Sequence, residues 1–227
     1  MTRPSESGNV LFYIFIAVVL FGGLSFAVSQ SGRGSLSQIT QDRNRLAATE
    51  IIDYGDSLAK AVGTMRLRGT TLANLRFSHL DLPGASYDAP GTQPPENEVF
   101  NSEGGAMIYR RPPAETTAAA GTDYAFLAGV AIQDIGTTCS TAPCADLVVA
   151  IPGITAEICD LINRTGGNTA KGDSIPVNAD FNIAAKFKGT MAAPTIVNTA
   201  KLTGRLYGCL TSTADATNYY YRVLWAQ

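Results

Sequence analysis

Histidine occurs once in 227 residues, at His79, so no pair of imidazoles is available to hold a metal or share a catalytic proton. Charged residues make up only 16 %, and no run of Lys or Arg occurs anywhere. The electrostatic footprint of a nucleic-acid binder is therefore missing. The chain has no G-x-x-x-x-G-K-S/T loop, no G-x-G-x-x-G turn and no G-x-S-x-G nucleophile elbow. Nucleotide binding and the usual serine-hydrolase chemistry lose their sequence signals, and no cofactor is expected. Cysteine is absent from the first 138 residues and then appears four times.

What is present begins at the amino end. A polar stretch, MTRPSESG, runs into the apolar segment Val10–Val28, 19 residues with no Asp, Glu, Lys, Arg or His. At 1.5 Å per residue this length crosses the hydrocarbon core of a bilayer. It exceeds the 7–15 residues of an ordinary secretory signal core, although Ala27-Val28-Ser29 has the small residues of a cleavage site. A membrane anchor is the expectation.

After the joint Ser29–Gly34 a second pattern begins. Leu36, Ile39, Leu46, Ile51, Tyr54, Leu58, Val62 and Met65 recur at mostly helical spacing, with Asp42, Arg43, Arg45, Glu50, Asp53 and Lys60 between them. The spacing predicts an amphipathic helix that stops near Gly69. The parts expected are residues 1–8 as a leader, 9–28 as a membrane or filament-core helix, 29–69 as an amphipathic helix, and 70–227 as one globular head.

This layout resembles the type IV pilins and their pseudopilin relatives over residues 1–67. The resemblance makes Gly8 the residue after which a prepilin peptidase cuts, Asn9 the new amino terminus, and Gly22 a glycine of the packing helix. It implies a non-enzymatic subunit of a surface filament or secretion pseudopilus. Such a subunit sits in the inner membrane with a periplasmic head, then in an extracellular filament. Its partners are copies of itself or related subunits, the peptidase and the membrane. One position departs from the family: where a glutamate pairs with a neighbouring subunit's amine, this chain has Tyr13. A hydroxyl cannot supply that ion pair, which favours a minor, tip or divergent subunit. Two other readings are a permanently anchored periplasmic binding protein and a secreted hydrolase using His79. Arg33, Arg43 and Arg45 outnumber Arg3 around the span, which taken alone places the head inside. The cysteines decide for the oxidising side.

Those cysteines are Cys139, Cys144, Cys159 and Cys209, at spacings foreign to zinc ribbons and C-x-x-C redox motifs. An even count in an exported domain points to two disulfides, with three connectivities open. A Cys139–Cys144 bridge would close a small turn, and Cys159–Cys209 would tie a helix to a distant strand. The resemblance points the same way, because pilins often staple the C-terminal region.

The head is expected to be α+β, built on an antiparallel sheet. Candidate strands are 106–110, 124–134, 146–151 and 219–225, and residues 152–163 form a short helix capped by Thr155 with Ile158, Leu161 and Ile162 on one face. Gly166 and Gly167 stop it. The stretch DLPGASYDAPGTQPPEN (81–97) holds four prolines and reads as a loop. In the last strand, Tyr219, Tyr221, Val223 and Trp225 alternate with Tyr220, Arg222 and Leu224. Asp173, Asn178, Asp180 and Asn182 carry oxygens of the kind calcium takes, at spacing unlike an EF-hand. Asn163-Arg164-Thr165 matches a glycosylation sequon.

Overall fold

The computed structural model describes residues 7–84, 86–119, 121–137, 141 and 144–227, and within the first helix the side chains of 10–28 and of 38 onward. Contacts divide the chain into Met1–Arg43 and Asn44–Gln227. Helix α1 runs Ser7–Leu67, and no proline falls within it. In the first unit it is solvent-facing on every side from Val10 to Val28. Its end follows backbone chemistry: Gly69 has φ 98°, the Gly69 N–H donates to Arg66 O and the Thr70 N–H to Met65 O. A left-handed residue closed by those two bonds is a glycine helix stop, where the sequence placed it.

The second unit is a sheet with two helical segments on one face, the carboxy-terminal part of α1 and a short second helix. In chain order the strands are β1 (Ala125–Ile132), β2 (Asp146–Pro152), β3 (Val177–Asn178), β4 (Thr195–Val197), β5 (Tyr207–Ser212) and β6 (Asn218–Trp225), arranged β3-β5-β6-β2-β1-β4. The central four pair antiparallel. Both edges are parallel, β4 on β1 and β3 on β5, so the expected all-antiparallel sheet is corrected to a mixed one. The cause is the long connection after helix α2 (Ala156–Thr165), which lays two short segments along the free edges and covers backbone groups that would otherwise lack partners. The sheet then curls until its edges meet. Asn178 on β3 donates to Ile196 O on β4 at 3.2 Å and accepts from the Asn198 N–H at 3.2 Å.

Three of the four expected strands are observed close to their expected bounds. The fourth, 106–110, joins no strand: Ala106 adopts φ 52°, and the Tyr54 hydroxyl on α1 takes the Ile108 O and the Arg110 N–H that a neighbour would pair with. Strands β3, β4 and β5 form where the sequence pattern predicts none. Helix α2 forms with Gly167 at φ 66°, just past its end, while Thr155 stands at the N-cap with no side-chain cap bond.

Two apolar clusters flank the sheet. One joins the α1 side chains Ile51, Leu58, Val62 and Met65 to Phe126, Val149, Tyr220 and the α2 residues Ile158 and Ile162. The other gathers Leu127, Val148, Phe181, Leu210, Tyr219 and Tyr221 on the far side. Alternation along β6 therefore holds for Tyr219 to Leu224 but fails at Trp225. Leu147 pairs with Trp225 and Val148 with Val223, so Leu224 is an extra residue. That bulge turns Trp225 onto the α1 side, where the Arg66 guanidinium stacks over the indole at 4.6 Å.

Candidate functional site

The first candidate is the amino-terminal helix itself. Large side chains from Val10 to Val28 are 38–76 % exposed, and none of the span is buried. Apolar surface on all sides of a helix needs lipid or other protein to cover it. Tyr13 is 64 % exposed, with its ring edge-on to Phe12 at 6.4 Å. Gly22 and Gly23 have nothing within 4 Å of where a Cβ would stand, so they leave a notch on this surface. Gly8 and Asn9 lie in α1, but their side chains fall outside the described residues. The helix fits membrane anchoring or a signal sequence.

The cysteines come next. Cys159 on α2 is bonded to Cys209 on β5, both fully buried, across 50 residues of chain. Cys144 is also disulfide-bonded, and Cys139 lies outside the described residues. Among the described residues no cysteine is free, which fits an oxidising compartment. Asn163 locks this staple in place. Its amide donates to Cys209 O and accepts from the Cys209 N–H, each at 2.8 Å. Asn163 has no exposed surface, so the sequon asparagine is a core residue of the fold.

His79 stacks on Tyr109 at 4.5 Å and accepts the Asp81 N–H at Nδ1, 3.2 Å away. The Asp81 carboxylate lies 3.5 Å from the same nitrogen. Among the described residues, no hydroxyl or thiol is hydrogen-bonded to the ring. The calcium grouping separates as well. Asp173 pairs with Lys201, Asn178 clasps the sheet edges, Asp180 accepts the Phe181 N–H, and Asn182 accepts from Ala184 and Ala185. Those oxygens are spent on an ion pair, the sheet edges and turns, and no cluster of three or more His, Cys, Asp or Glu occurs among the described residues.

Two features lay beyond the sequence reading. A groove of about 710 Å³ opens in the second unit between α1 residues 46–57 and segment 106–111. Its floor is Tyr54 and Tyr124, whose rings meet at 4.9 Å. The Tyr54 hydroxyl donates to Ile108 O and accepts the Arg110 N–H, each at 3.2 Å, and burial pushes its pKa up to about 12. The phenol stays protonated and pins the segment against the helix. The other feature is Asp146, 1 % exposed, whose carboxylate accepts the Ile132 N–H at 2.9 Å and the Gln227 N–H at 3.3 Å. Burial raises its pKa to about 6 despite those two bonds. A charged residue heading the apolar run DLVVAIP was the one available sign of it.

No protein-family model, no curated protein and no solved structure matches this chain.

Proposed function

We propose that the protein is a pilin-like structural subunit, held in the inner membrane by Val10–Val28 and then packed through the same segment against other subunits of a filament or pseudopilus. One observation carries this reading: the two parts of α1 have opposite surface chemistry. The amino-terminal part is apolar and uncovered all round, whereas from Ala47 to Met65 one face is buried at 0–8 % exposure. A head that uses half of a helix as core, and offers the other half uncovered, suits a subunit whose exposed half is covered by lipid first and by neighbours later. The disulfide agrees with a head on the oxidising side.

Processing tests the reading. Intact-mass analysis of the mature chain should show loss of residues 1–8 and a new terminus at Asn9. Gly8→Val should keep the leader, because the peptidase has to approach a residue without a side chain. Retention of residues 1–8 in the wild type, or cleavage after Ser29, would sink it. A retained leader would favour a permanently anchored binding protein, a reading that draws on the groove beside Tyr54.

A further inference from the structure

The groove between α1 and segment 106–111 has walls of opposite charge. Glu50 and Asp53 line the helix side, and Arg110 and Arg111 line the other. Arg111 is already paired with Asp123 at 2.9 Å. Glu50, Asp53 and Arg110 are exposed and make no ion pair among the described residues. They line opposite sides of the groove without forming an ion pair, and Leu46 and Ile108, on the same two sides, are 71 and 73 % exposed.

A surface carrying an acidic wall and a basic wall side by side is complementary to itself. When two copies meet about a two-fold axis, residue i of one meets residue j of the other, and every pair forms twice. We infer that this groove is a head-to-head contact between two copies of the chain, with Glu50 and Asp53 of each facing Arg110 of the other and with Leu46 against Ile108 at the centre. Burial of the two exposed apolar side chains supplies the cohesion. The charge pattern supplies register and rejects shifted dockings, since these bring like charges together. A partner of one charge sign would satisfy one wall and be repelled by the other.

The inference rests on the assembly reading only for the identity of the partner, and its test needs no filament. Two differently tagged full-length chains are co-expressed in the membrane, one carrying Leu46→Cys and the other Ile108→Cys, and a short bismaleimide is added. The expected yield of mixed dimer is at least about fivefold above that with Val177→Cys in place of Ile108→Cys, a position exposed on β3. Adding Glu50→Arg to the Leu46→Cys chain should lower the yield about tenfold, and adding Arg110→Glu to its partner should restore it. Thermal melts of the exposed-site variants establish that each chain is folded. A yield no greater than the control overturns the inference. So does a yield indifferent to Glu50→Arg, or one that Arg110→Glu fails to rescue. Absence of the dimer with a mature Asn9 terminus leaves the subunit reading standing. A dimer from chains that retain residues 1–8 does the reverse.

Discussion

Gly55 on α1 lies directly against the hydroxyl of Tyr220 on β6. A Cβ at Gly55 would fall inside contact distance of that oxygen and 3.3 Å from Cγ of Arg222. The glycine is the notch that lets helix and sheet close, and Tyr220 fills it with no exposed surface, its hydroxyl directed at Ile51 O at 3.5 Å. Gly55→Ala gains roughly 1 kcal/mol of helix propensity. Overpacking of about 1–3 kcal/mol opposes that gain, because backbone and a buried phenol must part. The expected result is a net loss in urea denaturation, relieved when Tyr220→Phe removes the obstructing oxygen. A stabilised single variant would show that the helix shifts freely on the sheet.

Asp146 makes stability depend on pH in an unusual direction. Its folded pKa is about 6, against an ordinary value of 3.8. The folded chain therefore holds this proton more tightly than the unfolded chain does. The contribution is fully present below about pH 4 and is lost as pH rises through about 6. At 1.36 kcal/mol per unit it amounts to about 2–3 kcal/mol. Asp146→Asn keeps a neutral group in the same place and should flatten the difference in urea midpoint between pH 4 and pH 7. Equal pH dependence in wild type and variant would show that water reaches the carboxylate.

The Cys159–Cys209 bond closes a loop of about 50 residues. Chain entropy assigns roughly 4 kcal/mol to a loop of that length. Reduction, or a Cys159→Ala/Cys209→Ala pair, should lower the free energy of unfolding by about 2–5 kcal/mol. Thiol labelling under denaturing, non-reducing conditions should find no free cysteine in freshly isolated protein. Quantitative labelling of all four would place the head in a reducing compartment.

Legibility in the sequence followed the range of each interaction. The α1 stop at Gly69, helix α2 and the three long strands are local patterns of apolar spacing and turn residues, and they were readable. The edges were not. Strand β3 is two residues long and β4 three, too short for any periodicity, and each is held by parallel pairing to a strand distant in sequence, β5 and β1. Asn178 looked like a cation ligand, because an amide oxygen carries no mark of what it will meet. Trp225 changed sides through a single bulge, which alternation alone cannot show. The groove joins residues about 60 positions apart, a separation that no local pattern reports.

Tyr13 is where the filament reading meets its sharpest test. If Asn9 becomes the amino terminus, its ammonium enters an apolar assembly, where an unpaired charge is costly. The phenol oxygen of Tyr13 accepts one hydrogen bond, a weaker contact than a carboxylate gives. Its exposed position on the span leaves it free to meet a neighbouring subunit. Tyr13→Glu should therefore raise the yield of sheared filament relative to membrane-bound chain, and Tyr13→Phe should lower it. The cost of carrying a carboxylate in the bilayer before assembly works against the gain. Membrane-bound chain is therefore measured in the same samples, to separate failed insertion from failed assembly. If Glu abolishes incorporation at normal membrane levels and Phe leaves it unchanged, Tyr13 serves only as bulk, and amine pairing plays no part in how these subunits meet.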